Sequence, residues 1–185
     1  SCRLQAAYLP SAICHQVTGT LPPMSLVVQK YGGTSVGDAS RIRAVAGRVA
    51  ERRRSGDSVV VIVSAMGHTT DELIRLSSEI SQHHHPREMD MLLTAGERIA
   101  MALLAMAIRD EGVEAMSLTG SQAGILTDTS HGHAKIREIK ALRVVEGLEA
   151  GKVVIVAGFQ GVSPDTKEIT TLGRGWSDAT AVAMA

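Results

Sequence analysis

Hydrophobic and polar positions along the chain form blocks that predict strands and helices in alternation. Short apolar runs rich in β-branched residues, such as Ser58–Ser64 and Val153–Ala157, are typical of strands buried on both faces of a parallel sheet. Between such runs, apolar residues recur at helical spacing, as at Ile42, Val45 and Val49. The pattern predicts an α/β fold with a mostly parallel central sheet, helices on both faces, and ligands at the carboxyl ends of the strands.

Capping and turn residues place the element boundaries. Asp38 or Ser40 can cap the first helix, Gly56 can stop it, and Pro86 is suited to open a long one. Strands are predicted at about 25–30, 58–64, 114–118, 136–139 and 153–157, helices at about 70–80, 86–110 and 141–150, a β-hairpin over 159–172, and a glycine-punctuated segment over 120–133.

The two ends of the chain differ from its middle. Residues 1–24 hold both cysteines and only a short apolar patch, and we expect them to form a disordered extension. A last helix is predicted to begin near Ser177, and the chain stops at Ala185 before the apolar face of this helix is complete. Residues 25–185 are therefore expected to form one domain that is incomplete at its C-terminus.

The amino-acid composition narrows the range of possible functions. The 185 residues carry 19 Lys and Arg against 19 Asp and Glu, so no excess charge indicates nucleic acid as a partner, and 2% aromatic residues do not suit a base-stacking surface. No apolar run approaches the ~20 residues of a membrane helix, which favours a soluble protein. Two cysteines near the N-terminus imply no disulfide framework and fit a cytoplasmic location.

Glycines and small hydroxylic residues follow the ends of the predicted strands. The loops are KYGGTS (30–35), SAMGHTT (64–70), GFQG (158–161) and GRGWSD (173–178). Glycine lets backbone N–H groups approach an anion, Lys30 adds a positive charge, and Asp38 or Asp178 starts a helix. One such loop is equally an ordinary βα turn, but four in one α/β chain favour a phosphate or carboxylate site.

Common nucleotide-binding motifs are absent. The P-loop lysine is missing because Asp38 and Ala39 follow Gly37, and Gly173-Arg-Gly175 does not continue as a dinucleotide fingerprint. The tract His83–His85 is interpreted as a polar loop, since three consecutive side chains cannot all face one ion, and no metal site is predicted.

Five motifs in order carry a resemblance to a known family: KYGGTSVGD, VSAMGHTTDEL, MLLTAGERIAMAL, VAGFQGV and TLGRGWSDATAVA. They resemble the amino-acid kinase superfamily and, within it, the bacterial aspartate kinases, over residues 25–185. The resemblance implies that this segment is the amino-terminal, substrate-binding part of such a kinase domain, whose relatives continue into the rest of the nucleotide-binding lobe and into regulatory domains.

The resemblance also implies a reaction. Aspartate kinases transfer a phosphoryl group from ATP, with Mg²⁺ bound through the nucleotide, to the side-chain carboxylate of L-aspartate. The product is 4-phospho-L-aspartate, in the first step of lysine, threonine and methionine biosynthesis. A carboxylate with an ordinary pKa of about 3.9 is already ionised at neutral pH, so the enzyme mainly has to neutralise charge and align two anions. A cytoplasmic homo- or hetero-oligomer is expected for the complete protein.

By resemblance, individual residues acquire roles. Lys30 and Asp178 are the expected catalytic residues, with Lys30 on the transferring phosphate and Asp178 orienting Lys30. The expected phosphate-binding residues are Lys30, Gly32, Gly33 and Gly175. The expected substrate-binding residues are Thr34, Ser64, Thr70, Glu97, Phe159, Arg174 and Ser177, with Glu97 toward the substrate ammonium or its hydrogen-bond network and Arg174 on the substrate α-carboxylate. On pattern alone, Glu97 and Arg98 on a long helix favour a solvated ion pair instead.

Two positions depart from the family pattern. The last motif is usually GRGGSD, and Trp176 replaces its second paired glycine; His68 stands where relatives often carry Asp. A tryptophan brings about 200 Å² of side-chain surface to a place of close backbone approach. The loop is then displaced, the indole points outward, or the site is damaged. The alternatives to aspartate kinase are a kinase for another small acid, such as N-acetylglutamate or glutamate, and an amino-acid-binding fragment without catalysis.

Overall fold

The computed structural model describes residues 25–173 and 177–185, and these residues form eight strands, five α-helices and one short 3-10 helix, Gly33–Val36. The strands are β1 (Leu26–Tyr31), β2 (Ser58–Val63), β3 (Ala115–Leu118), β4 (Ile125–Thr127), β5 (Ile136–Ile139), β6 (Val153–Ala157), β7 (Gln160–Val162) and β8 (Ile169–Thr171). The helices are α1 (Ala39–Arg54), α2 (Thr69–Ile80), α3 (Pro86–Asp110), α4 (Leu142–Glu149) and α5 (Ser177–Met184). The disordered extension expected for residues 1–24 lies outside the described residues.

Four parallel strands form the main sheet in the order β1-β2-β6-β3. The two central strands are continuous runs of buried β-branched residues, as a sheet covered on both faces requires. Lys30 pairs with Ile62 and Tyr31 with Val63, so β1 and β2 end side by side. The three loops that follow β1, β2 and β6 therefore meet at one edge of the sheet, as predicted.

Helices cover both faces of this sheet, which confirms the predicted fold class. On one face, α1 and α3 pack against the side chains of Val59, Val61 and Val63 in β2 and against the matching positions of β6. On the other face, Ile62 and its neighbours meet α4 and the apolar residues of α5. Each face is sealed from water by this packing, which stabilises the fold by about 25 cal/mol for each Å² of apolar surface buried.

The cap of α1 has the form expected from its sequence. The Asp38 carboxylate accepts the backbone N–H of Arg41 at 2.9 Å, so Asp38 rather than Ser40 is the N-cap residue. The helix ends at Arg54, and Gly56 follows with φ of +103°, a conformation that glycine adopts without strain.

Helix α3 begins at Pro86 and ends at Asp110, as predicted. Among the described residues it is the one helix long and apolar enough to cross a membrane by length and composition. Its apolar side chains, however, include Leu104 and Ile108, which are fully buried against the main sheet. Its polar positions Asp90 and Glu97 are also buried inside the protein, as in a core helix.

A second sheet, in the order β5-β4-β7-β8, packs against the first half of α3. The contact centres on Asp90, which is 1% exposed and accepts hydrogen bonds from the backbone N–H of Gly132 and the hydroxyl of Thr171. His131 Nδ1 lies 2.7 Å from the other Asp90 oxygen. One buried carboxylate thus joins α3 to β8 and to the loop before β5.

The predicted hairpin is confirmed as the antiparallel pair β7 and β8. The segment 120–133, for which the sequence predicted glycine-punctuated chain and no strand, contains β4. This strand was missed because it has only three residues between turns, and its pairing with β5 and β7 comes from distant parts of the chain.

Candidate active site

A cavity of about 320 Å³ opens at the carboxyl edge of the main sheet. It lies where the loops after β1, β2 and β6 meet the first turn of α5 and the middle of α3. Its lining residues are Lys30, Gly32, Gly33, Ser64, Ala65, Gly67, Thr70, Asp71, Glu97, Phe159 and Ser177. The sheet edge predicted from the sequence therefore holds most of the expected site residues.

Lys30 and Asp178 form an ion pair at this cavity, with Lys30 Nζ 3.0 Å from Asp178 Oδ1. Lys30 lies near the end of β1, on the same sheet face as Val28, which packs with the core on the α5 side. Asp178 is in the first turn of α5, where a carboxylate interacts favourably with the helix dipole. The Lys30 side chain is 30% exposed, so its ammonium is paired and yet accessible to an anion.

Backbone forms the floor of the cavity. The Gly67 N–H donates to the Gly33 carbonyl oxygen at 3.0 Å, which joins the loops after β1 and β2. A Cβ on Gly33 would lie 2.7 Å from the Ala65 carbonyl oxygen, and a Cβ on Gly32 would lie 3.4 Å from Lys30 Nζ. Only glycine at position 33 permits this approach of main chain to main chain. The floor thus presents peptide groups beside a lysine, which is suited to an anion.

Glu97 is buried in the wall of the cavity. Its side chain comes from α3, and Gly96 beside it lets the helix approach Ala65 so closely that a Cβ there would lie 2.8 Å from the Ala65 Cβ. One carboxylate oxygen accepts the Ala65 N–H at 3.3 Å, and the other has no hydrogen-bond partner among the described residues. Burial raises the pKa of Glu97 to about 7, against the smaller opposing effect of backbone hydrogen bonds.

Phe159 turns the corner between β6 and β7 with φ of +68°, an uncommon conformation for a large residue. The Leu172 N–H donates to its carbonyl oxygen at 2.8 Å, and its own N–H donates to Thr180 Oγ1 on α5 at 3.2 Å. Across the cavity mouth the Ser64 hydroxyl donates to Ser177 Oγ at 3.0 Å. The first turn of α5 is thus hydrogen-bonded to the ends of β2 and β6.

Most of the predicted site residues come together at the cavity, with three exceptions. Thr34 does not line it: its side chain is exposed, and its carbonyl oxygen accepts from Arg41 Nη1 at 2.6 Å. Arg174 and Gly175 lie outside the described residues, as does Trp176. The roles assigned to the site residues stay predictions.

Three lining residues were missed by the sequence reasoning: Ala65, Gly67 and Asp71. Ala65 and Gly67 lie inside the SAMG loop and contribute main chain, so their side chains gave no signal. Asp71 follows Thr70 in the first turn of α2, and an acidic residue at that position is equally typical of helix starts. Only its place after a strand-end loop could have indicated a site.

The arrangement defines a class of protein: an α/β protein in which a lysine, peptide groups and a buried carboxylate surround one small cavity at the carboxyl edge of a parallel sheet. In the described ranges no group of three His, Cys, Asp or Glu side chains could hold a metal ion unaided. The sequence profile of the Amino acid kinase family matches residues 25–185. The chain belongs to this family.

Curated relatives and solved structures agree with the family. The chain is 60% identical to an aspartokinase of Mycolicibacterium smegmatis over 162 residues and 58% identical to an aspartokinase of Corynebacterium glutamicum. In each case the match covers 88% of this chain and 38% of the relative, so the chain spans well under half of their length. A crystal structure of aspartate kinase from Synechocystis superposes with a TM-score of 0.72 at 48% identity, covering 86% of this chain and 26% of that one.

A second structure shares the fold and shows ligands. It is E. coli aspartokinase III in complex with aspartate and ADP, with a TM-score of 0.73 and 25% identity over 88% of this chain and 46% of that one.

Proposed function

We propose that this chain carries the amino-acid-binding part of an aspartate kinase, which transfers the terminal phosphoryl group of ATP to the side-chain carboxylate of L-aspartate. The observation that carries the proposal is the Lys30–Asp178 pair at a glycine-floored cavity, whose wall contains a Glu97 oxygen with no hydrogen-bond partner in the described part of the chain. The aspartokinases to which the chain is 56 to 60% identical support the choice of reaction.

The charges of the cavity match a free amino acid. A carboxylate oxygen that is buried without a donor favours a ligand that brings a cationic hydrogen-bond donor, and the ammonium of L-aspartate supplies one. An N-acylated amino acid would bring a neutral amide to this carboxylate oxygen instead of an ammonium. Thr70 and Ser64 offer hydroxyl groups at the cavity lining, and Arg174 remains the proposed partner of the substrate α-carboxylate.

The chemistry needs positioning rather than a base. An ionised aspartate side chain forms the new O–P bond as the bond from phosphorus to the bridging oxygen breaks and ADP leaves. Lys30 is proposed to neutralise charge on the transferring group, while Gly32 and Gly33, with Gly175, approach it with backbone N–H groups. Asp178 holds the Lys30 ammonium in place. Mg²⁺ is proposed to arrive with the nucleotide and to neutralise phosphate charge there.

Calorimetry on the chain tests the substrate class. We expect L-aspartate to bind, L-glutamate to bind at least about tenfold more weakly because its longer side chain misplaces one carboxylate, and N-acetylglutamate to bind most weakly. Lys152→Ala, a lysine on the loop before β6 and away from the cavity, is the control and should bind as the parent does. Preference for the acetylated ligand would contradict the proposal and favour another small-acid kinase of the family.

The proposed function also places the protein in the cytoplasm as a soluble enzyme of amino-acid biosynthesis, in the first step toward lysine, threonine and methionine. A homo- or hetero-oligomer is proposed for the complete protein. An amino-acid-binding fragment without catalysis is the second candidate, and Trp176 is the observation that favours it.

A further inference from the structure

We propose that Thr180 is the positioning residue of this site: its hydroxyl locks the Phe159 corner to α5, and this lock holds Phe159 and Asp178 in their places at the cavity. Thr180 itself does not line the cavity and is fully buried. Neither the sequence motifs nor the lining of the cavity assign it a role. For its effect on ligand binding, the inference rests on the proposed aspartate site.

The backbone of Phe159 is held in an unfavourable conformation. Its φ of +68° is unfavourable for a residue with a large side chain, costing about 1 kcal/mol or more, so surrounding contacts must impose it. Two hydrogen bonds to the Phe159 backbone do so: the Leu172 N–H donates to the Phe159 carbonyl oxygen, and the Phe159 N–H donates to the side-chain Oγ1 of Thr180. Without the Thr180 hydroxyl, the Phe159 N–H would be buried and unsatisfied.

The Phe159 corner forms part of the cavity wall. Phe159 is 6% exposed and lines the cavity, so a change in its backbone moves one wall of the site. Gly158 before it lies tightly under α5, where a Cβ would be 2.9 Å from Ser177 Oγ. The corner and the first turn of α5 are therefore in direct contact, and a shift of one requires a shift of the other.

The geometry of α5 links Thr180 to Asp178. Ser177 and Thr180 are three residues apart and lie on the same side of the helix, toward the strand ends. Ser177 accepts from Ser64, and Thr180 accepts from Phe159. Asp178, between these two anchors, is 71% exposed and makes its pair with Lys30. Two buried hydroxyls thus fix the rotation of α5, and that rotation directs Asp178 to Lys30.

The test compares Thr180→Val, which keeps the shape and removes the acceptor, with Thr180→Ser, which keeps the acceptor. Thr127→Val is the matched control, because Thr127 is also fully buried and its Oγ1 lies 2.6 Å from Thr170 Oγ1 in the second sheet, away from the cavity. Two quantities are measured on each variant: hydrogen exchange of the Phe159 amide by NMR, and the dissociation constant of L-aspartate by calorimetry.

We expect Thr180→Val to speed exchange of the Phe159 amide and to weaken aspartate binding, each by about tenfold or more, because a buried donor loses its acceptor. Thr180→Ser should stay within about threefold of the parent in both measurements. Thr127→Val should lose stability without either effect. Exchange and binding in Thr180→Val that match Thr127→Val would overturn the inference.

If the parent chain does not bind aspartate, the proposed function fails, and the exchange of the Phe159 amide alone decides the role of Thr180. If Thr180→Val does not fold, Thr180→Ala takes its place, and the same comparison with Thr180→Ser applies.

Discussion

The two acidic side chains Asp178 and Glu97 are held in opposite electrostatic conditions. Asp178 is exposed and paired with Lys30, and a pair this open to solvent contributes only about 0 to 1 kcal/mol to folding, so its contribution is to the arrangement of charge at the cavity. Glu97 is buried, and burial raises its pKa to about 7. The charge of Glu97 therefore depends on what enters the cavity.

The raised pKa of Glu97 predicts a pH-dependent stability. Between its unfolded value of 4.5 and its folded value of about 7, the native state holds a proton that the unfolded state has lost, so stability falls as pH rises through this window and then levels off. We expect Glu97→Gln to remove the fall and to stabilise the ligand-free protein above pH 7 by up to about 3 kcal/mol. Urea unfolding of the parent and of Glu97→Gln at several pH values measures this difference in the free energy of unfolding.

Glu146→Gln is the control for this prediction, because Glu146 is an exposed glutamate on α4. Its pH profile should follow that of the parent. A Glu97→Gln profile parallel to the parent from pH 4.5 to 8 would show that Glu97 is ionised normally in the fold.

The sequence indicated some of these residues directly and others only through resemblance. Lys30, Gly32 and Gly33 were found from the pattern of a strand that ends in lysine and glycines. Glu97 was assigned only through the resemblance, because the helical pattern favours a solvated ion pair with Arg98. Its burial depends on the contact of Gly96 with Ala65, two residues from distant segments, and no local pattern encodes that contact.

At the scale of elements, α3 connects the two sheets to the site. Its first half is joined to the second sheet through Asp90, its middle supplies Glu97, and its last turns pack on α1 and the main sheet. The distance between α3 and the SAMG loop is set by Gly96. A substitution at this glycine should therefore act on the site through the whole helix.

Two glycine substitutions separate helix propensity from this contact. Alanine favours a helix interior over glycine by about 1 kcal/mol. At Gly47 in α1, the nearest atom to an added Cβ is Glu111 Oε1 at 4.0 Å, so Gly47→Ala should stabilise the protein by about 0.5 to 1 kcal/mol. At Gly96 the added Cβ would meet the Ala65 Cβ at 2.8 Å, and Gly96→Ala should destabilise by about 1 to 3 kcal/mol.

Denaturant midpoints of both variants, together with aspartate calorimetry, check this prediction. Gly96→Ala should also weaken aspartate binding, since it moves α3 away from Ala65, whereas Gly47→Ala should not. Equal stabilisation by both alanines would mean that the close contact of α3 with the SAMG loop does not exist in solution.

The elements themselves were largely predictable. The ends of α3 and of β5 match the predicted limits, because proline and regular apolar spacing act locally. Strand β4 was not found, since three residues carry too little pattern and its partners come from other parts of the chain. The pairing of β7 with β8 was predictable from the turn between them.

At the scale of the whole molecule, the chain spans 38% of its curated relatives, and the proposed turnover requires the rest of a kinase. We expect the chain alone to show no turnover in a coupled ATP assay.

A chimera in which residues 25–185 replace the matching part of the Mycolicibacterium smegmatis aspartokinase tests the role of Trp176. We expect Trp176→Gly to raise the kcat of this chimera by about tenfold or more, because glycine lets backbone approach phosphate.

The control in the same chimera is His68→Asp, which restores the other family residue on an exposed loop and should leave kcat within about twofold. If Trp176→Gly leaves the chimera inactive, Trp176 is not the cause of the lost activity. Activity in the unmodified chimera equal to that of the glycine variant would show that the indole is accommodated.

The pairing of β1 with β2 has a consequence for how this protein can change. Lys30 reaches Asp178 because it lies opposite Ile62 on the face that α5 covers. Inserting or deleting a single residue within Leu26–Tyr31 would turn the ammonium toward α1 and bring a neighbouring side chain, Gln29 or Tyr31, to the cavity in its place. Among related sequences this strand should therefore vary by substitution, whereas insertions and deletions should occur in the loops at the end of the sheet opposite the cavity.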